Sequence, residues 1–227
     1  MADRNEAPYG AINWELIGSW LELDPADDGP FWALNLMKYH EVARYRDGRE
    51  GVSGRQADDA YAPFESLAAV GAAITFVGDV TEQPLGSPTW DRIAIVRYPT
   101  RAAFLAMQER SDFKKSHEHK EAGMEFTTIL SCEPSDVVGT DGGDGQLVMV
   151  VDQGGDPVTS DDGVVATLDA EGIIIGDERT YRRATFLRTT EPVDALVARA
   201  AAGGDAFVVL LNPFIDQLAA SITDATD

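Results

Sequence analysis

The chain is predicted to fold as an α+β protein: two ferredoxin-like βαββαβ units, the second diverged and shortened, that pair into a dimeric-type α/β barrel. Three observations carry this expectation. Gly29–Tyr39 (GPFWALNLMKY) and Thr89–Met107 (TWDRIAIVRYPTRAAFLAM) each hold a short strand pattern with a polar residue inside or beside it. The second of these runs directly into an amphipathic helix. Between and around them the element order reads β-α-β-β-α-β.

Taken in order, Ile12, Leu16, Ile17 and Trp20 recur at helical spacing and mark a leading helix over 11–23. Asp24–Pro30 is a turn-rich break. In the Phe31–Tyr39 strand, Trp32, Leu34, Leu36 and Lys38 share one face, and Phe31, Ala33, Asn35, Met37 and Tyr39 the other. Residues 41–57 read as a loop. Asp58 or Asp59 then caps a helix to about Val70, with Pro63 in its first turn and Gly71 ending it. Ala73–Val80 is a β-rich run and Gln83–Pro88 a hairpin-like loop. Trp90–Tyr98 is a second half-buried strand, stopped by Pro99. Thr100 caps a helix carrying Ala103, Phe104 and Met107, followed by a polar extension, QERSDFKKSHEHKEAG. Glu125–Cys132 closes the unit.

Residues 136–145 are Gly- and Asp-rich and read as a linker. The pattern then repeats in shortened form: a strand at Gln146–Asp152, a small helix at Ser160–Ala170, a short strand at Gly172–Gly176, and a strand at Tyr181–Arg188. A helix with Val193, Leu196, Val197 and Ala200 on one stripe follows, then a final strand at Ala206–Leu211. VRYPTRAAFLAM and FLRTTEPVDALVAR share the order strand, Thr cap, amphipathic helix, which suggests internal duplication; any strand-to-helix junction gives a similar pattern. The expected organisation is a unit at 1–135, the linker, a second unit at 146–215 and a polar tail at 216–227.

Residues 24–134 resemble an uncharacterised family of the dimeric α/β-barrel superfamily, usually labelled a domain of unknown function. The resemblance rests on DGPFWALNLMKYH, GREGVSGRQADDAYAPF, WDRIAIVRYPTRAAFLAM and HEHKEAGMEFTTIL, and covers about half of the chain. It implies a sheet that pairs face to face with another around a central pocket, and no known reaction. The internal second copy makes an intrachain pseudo-dimer the first expectation; a further homodimer is compatible with it.

Composition narrows the function classes. The 227 residues contain 39 Asp plus Glu against 18 Lys plus Arg, a formal net charge of −21. Nucleic acid and anionic membranes both need a basic footprint, so neither is expected as a partner. One cysteine, Cys132, excludes an intrachain disulfide. The N-terminal residues lack a signal pattern, and no run is long enough to span a bilayer, so a soluble cytoplasmic protein is expected.

Several residues are candidates for chemistry. Asn35 is an amide inside an apolar strand and needs hydrogen-bond partners; it either orients a ligand oxygen or ties a bulge or loop. Lys38 closes the same strand, as a ligand contact or a solvated end. Trp90 either lines a pocket wall, with Asp91 or Arg92 supplying a charge beside it, or is a strand-entry aromatic next to a local ion pair. Arg97 either clamps a carboxylate or neutralises a neighbouring acid. Tyr61 reads as packing or as a ligand contact. His117 is the candidate general base, because imidazole titrates near neutrality. His117 and Glu121 share a helical face while His119 points elsewhere, so even with His40 a metal site is not expected. HExxH, GxSxG and GxGxxG are absent, and GTDGGDG lacks the context of a phosphate loop; no cofactor is expected.

Three function classes follow. The first is a cofactor-independent enzyme of monooxygenase or isomerase type acting on an aromatic or lactone-like molecule. The second is a ligand-binding module without catalysis. The third is an interaction protein, which predicts a filled barrel with no cavity.

Overall fold

Strands whose two faces are both apolar need a cover on each side, and this requirement organises the molecule. The computed structural model describes residues 6–7, 9–137, 145–154 and 163–226. Ten strands form one antiparallel sheet. They are β1 (Glu6–Ala7), β2 (Gly10–Ile12), β3 (Phe31–Tyr39), β4 (Ala73–Leu85), β5 (Arg92–Tyr98), β6 (Met124–Val137), β7 (Gln146–Asp152), β8 (Val164–Gly176), β9 (Arg183–Thr189) and β10 (Ala206–Asp216). The order is β1-β2-β8-β6-β3-β5-β4-β10-β7-β9, and an added β8–β9 ladder closes the last eight strands into a barrel. Within the barrel β6-β3-β5-β4 come from one half of the chain and β10-β7-β9-β8 from the other, in the same internal order. The halves join through the β6–β8 and β4–β10 ladders.

Seven helices are present among the described residues: α1 (Trp14–Leu21), α2 (Gly54–Ala60), α3 (Phe64–Ala69), α4 (Arg101–Glu109), α5 (Ser111–Gly123), α6 (Val193–Gly203) and α7 (Leu218–Thr226). No helix among the described residues is long and apolar enough to cross a membrane.

Alternation assigns the faces. Trp32, Leu34, Leu36, Ile93, Ile95, Leu130 and Cys132 point into the barrel. From the other half Leu147, Met149, Val151, Leu168, Phe186, Phe207, Val209 and Leu211 meet them, so the interior is a packed core. The expectation of a central pocket inside the barrel is therefore corrected: bulky aromatic and branched side chains fill that volume. On the outside, Phe31, Ala33, Tyr98 and Ile129 meet Trp20, Leu67, Phe104, Met107 and Phe113 of the helices. Over the second half, Val148, Val150 and Val208 meet Leu196 and Ala200 of α6.

Several element assignments change. The helix expected from Asp58 begins at Gly54, because Ser53 and Gln56 form a reciprocal capping box. It ends at Ala60, and Pro63 separates it from α3. The leading helix is shorter than expected: β2 occupies 10–12, and Asn13 caps α1 by accepting from the Leu16 amide. The small helix expected at 160–170 is instead, over its described part, the first half of a thirteen-residue strand, β8. Its Val164, Val165 and Thr167 are β-branched and fit a pleated ladder between β6 and β9. The tail expected to be polar forms α7, whose Leu218, Ala219 and Ile222 join the barrel core. The Trp32 indole N–H donates to Ser221 Oγ on that helix at 3.0 Å. The expected linker falls mostly at 138–144, outside the described residues. The Thr100 cap stands as expected, with its hydroxyl accepting from the Ala103 amide at 3.0 Å.

Gly54 is a point of close approach. A Cβ there would lie 2.4 Å from the His40 carbonyl oxygen and 2.5 Å from that of Gly123. Both neighbours are backbone and cannot swing away. Gly54→Ala is expected to destabilise the fold by at least about 2 kcal/mol, through displacement of α2 from α5. Chemical denaturation of the variant measures it.

Candidate functional site

The helices over the first half do not seal against the sheet. They leave a cavity of about 220 Å³ whose floor is the outer face of β3, β4, β5 and β6 and whose roof is α2 to α5. The floor is low because its central residues are small: Ala33 and Asn35 on β3 oppose Val96 and Ala94 on β5. Leu67, Phe104, Met107 and Phe113 make the apolar wall, and Tyr9, Asp58, Tyr61, Arg92, His117 and Lys120 bring polar groups to the lining. This is the composition of a small-molecule site, apolar with a few convergent polar groups.

Lys120 is the informative member. Only 7% of its surface is exposed. Among the described residues no carboxylate lies within ion-pair range of it. Its ammonium reaches Asn35 Oδ1 at 3.4 Å and stands 5.6 Å and 5.9 Å from the Tyr61 and Tyr9 ring centres. Aromatic faces offset a fraction of the lost hydration. The remainder appears as a pKa lowered from 10.5 to about 8, with burial the dominant cause and Asp58 opposing it. Asn35 is held for this contact, since its Nδ2 donates to the Ala33 carbonyl at 2.9 Å.

His117 lies one turn before Lys120 on α5. Its Nε2 is 2.8 Å from the Tyr9 hydroxyl, and its Nδ1 is buried with no partner. Burial, aided by the nearby Lys120 charge, lowers its pKa from 6.5 to about 4, so the ring is neutral near pH 7. Phe113, His117 and Tyr61 rings pack around one another at 5.0 to 6.3 Å. Burial raises the Tyr9 and Tyr61 phenols well above their ordinary value, so both stay protonated.

Arg92 borders the cavity in a different capacity. Its Nη1 donates to Asp58 Oδ2 and Asp59 Oδ1, each at 2.9 Å, and its Nε donates to Asp79 Oδ1 at 2.9 Å. The Tyr39 hydroxyl donates to the same Asp58 oxygen at 2.6 Å. Three guanidinium donors are thus committed, and they tie the roof helix α2 to strands β4 and β5.

The structure brings Asn35, Tyr61, Arg92 and His117 to one cavity and places the other candidates elsewhere. Trp90 points into the barrel, stacked on Phe126 at 5.4 Å. Arg97 lies on the same inner side, with its guanidinium 5.7 Å from the Trp32 ring. Lys38 pairs with Asp91 at 2.9 Å. Cys132 is a barrel-core residue whose thiol is pushed up by burial. His119 contacts the Tyr45 hydroxyl at 2.7 Å, away from His117. The sequence reading missed Lys120, Tyr9 and Asp58. A signal for Lys120 was present: Phe113, His117 and Lys120 stand at i, i+4 and i+7, one face of a helix.

No protein-family profile matches the chain, and no curated protein matches it. Among solved structures it is similar to the methylated RPA0582 protein, at TM-score 0.50 and 24% identity over 60% of this chain and 98% of that one. It is also similar to RPA0582 from Rhodopseudomonas palustris, a protein of unknown function, at 0.48 and 23% over 56% of this chain and 98% of that one. A Lactobacillus acidophilus NCFM protein provisionally named a monooxygenase matches at 0.43 and 10%, over 82% of this chain and 94% of that one. The first likeness concerns the fold alone.

Three outcomes follow from the burial of these groups. Lys120→Met keeps the volume and removes a buried charge, so it is expected to stabilise the fold by about 1–3 kcal/mol at pH 7. The folded-state pKa of Lys120 lies below its unfolded value, so the unfolded chain holds the extra proton between about pH 8 and 10.5. Wild-type stability therefore rises with pH across that window, and the advantage of the variant shrinks. His117, at about 4 against 6.5, acts in the acid range: stability is lost as pH falls from 6.5 toward 4. His117→Gln flattens that difference. Thermal melts of wild type and both variants from pH 4 to 10.5 check these signs. In the opposite direction, Arg92→Ala leaves Asp58 buried without its cation and is expected to cost about 3–5 kcal/mol, measured by denaturant unfolding.

Proposed function

We propose that the chain is a cofactor-independent small-molecule enzyme of monooxygenase or isomerase type, acting on a flat aromatic or lactone-like substrate in the cavity between sheet and helices. In this reading the barrel is an intrachain pseudo-dimer of two ferredoxin-like units. The equal strand order of the two halves supports that pairing. The observation that carries the functional reading is Lys120, buried and unpaired beside Asn35 and His117 over one cavity.

The chemistry follows from position. The apolar body of the substrate lies between Ala33, Ala94 and Val96 below and Phe104, Met107 and Phe113 above. Its oxygen faces the Lys120 ammonium, which Asn35 orients; in a dry site such a cation stabilises developing negative charge strongly. His117 is neutral at pH 7; in the tautomer whose Nε2–H donates to the Tyr9 oxygen, its unpartnered Nδ1 accepts a proton from the adjacent carbon or hydroxyl. A filled barrel was the mark of the interaction-protein reading, but a cavity outside the barrel supplies the pocket that reading lacks.

A thermal-shift screen against aromatic acids, lactones, quinols and small polyketides tests the proposal. A binder is expected to raise the melting temperature by several degrees. Ala94→Phe, which raises the cavity floor, is expected to abolish the shift, and Trp90→Phe inside the barrel to leave it. No shift across the set counts against a substrate cavity. With a substrate in hand, Asn35→Ala is expected to lower turnover about 10²–10³-fold while remaining folded; unchanged turnover removes Asn35 from the mechanism.

A further inference from the structure

We propose that Lys120 is a carbonyl-capturing amine, and that the cavity takes an aryl aldehyde or ketone that it holds as a Schiff base. This rests on the reading of the cavity as a substrate site and narrows the substrate class.

The geometry is that of an amine set for addition. The ammonium is enclosed, points at the lining of the cavity, and has one long hydrogen bond, to an amide oxygen rather than to a carboxylate. A carboxylate partner would hold the proton on; an amide oxygen does not. The charged and titratable groups facing Lys120 come from every element around it: Asp58 on α2, Tyr61 just after α2, Tyr9 before β2, and His117 on α5 itself. Of these only Asp58 favours the ammonium, and two of its contacts are already with Arg92 and Tyr39. With a pKa of about 8, close to a tenth of the lysine is free amine at pH 7, against about one part in three thousand for an ordinary lysine at 10.5. A lysine activated by an apolar pocket is a recognised route to such nucleophiles.

The step balances without an oxidant or reductant. The Nζ lone pair adds to the carbonyl carbon as the C=O π bond opens, and the proton that the nitrogen then sheds passes to the oxygen to give a neutral carbinolamine. That hydroxyl leaves as water with the proton of the Tyr9 hydroxyl, which is restored across the 2.8 Å contact by the His117 Nε2–H, while His117 Nδ1 takes the last hydrogen of the nitrogen as the C=N bond forms, so the pair ends neutral. An aryl group suits the aromatic wall of Phe104 and Phe113, and the small floor at Ala33 and Ala94 leaves it room.

Reductive trapping tests this. The full-length protein is incubated with benzaldehyde and sodium cyanoborohydride at pH 7, then digested and analysed by mass spectrometry. Among the lysines, the expected result is a benzyl group on Lys120, formed at least tenfold faster than on Lys38, Lys114 or Lys115; the α-amine, which also titrates near 8, is mapped as a separate peptide. Lys120→Met, confirmed as folded by its melt, loses that adduct and retains only the labelling of the α-amine and the slow labelling of the other lysines. Lys120→Arg, which keeps the charge without a usable nucleophile, also loses it. Labelling spread over the four lysines at similar rates, or a Lys120 no faster than the exposed ones, overturns the inference. A phenol or aromatic acid that stabilises the protein while Lys120 fails to trap separates the two readings: the cavity then remains a binding site and the Schiff base is excluded.

Discussion

The two ladders that join the halves, β6 with β8 and β4 with β10, constrain everything else. Each half alone would present a four-stranded sheet with one apolar face open to water and two unpaired edges. Joining them covers both faces at once and leaves no free edge among the eight barrel strands. Closure also fixes which side of each strand is dry. The inner positions must then be filled by side chains, and they are, by Trp32, Phe76, Trp90, Phe186 and Phe207 among others. A closed barrel of eight strands has an interior that large side chains can occupy. Cavity space had to arise elsewhere.

It arises where the covering helices are numerous and the floor is small. Four helices, α2 to α5, roof the first half, whereas α6 covers the second. Short helices meeting over Ala33 and Ala94 cannot all reach the sheet. The roof keeps its place because Arg92 binds Asp58 and Asp59 of α2 and Asp79 of β4 together, and because the Gly54 and Gly123 backbones touch. Arg101 performs a related service at the seam between the halves: it pairs with Glu171 on β8 and Glu133 on β6, and Glu171 also accepts from Ser131 and from the Trp20 indole.

Much of this was legible in the sequence. The alternation of FWALNLMKY gave both faces of β3, and Thr100 gave the start of α4. The unequal result for the rest has physical causes. The start of α2 was hidden because its capping box lies in a polar, Gly-containing stretch that resembles a loop until Ser53 and Gln56 are read as a pair. β8 was misread because a run of mixed residues such as GVVATLDA satisfies a short helix and a strand equally well; only pairing with β6 and β9 decides. The face on which Asn35 lies could not be fixed from one strand, since a shift of one residue exchanges inside and outside. Trp90 and Arg97 were grouped with Arg92 by proximity in sequence, but Trp90 enters from the segment before β5, and Arg97 stands on the opposite face of that strand from Arg92.

Lys120 was the least legible, because nothing in a polar segment such as SDFKKSHEHKEAG announces burial; that depends on α5 packing over β3. Yet its setting is unusual against the composition of the chain. Three cations are buried among the described residues: Arg92, Arg101 and Lys120. The two arginines are met by carboxylates on several sides. Acidic residues outnumber basic ones by 39 to 18, so a partner for a third buried cation is easily supplied. At Lys120 the position that touches the ammonium is instead an asparagine, which supplies a dipole and no charge. Desolvating a cation without a counter-ion costs several kcal/mol, and a Met or Leu would fill the same space without that cost. A local rule broken without a structural gain points to a functional site. Here the break coincides with a cavity, a neutral histidine and protonated tyrosines, the groups that the proposed chemistry uses.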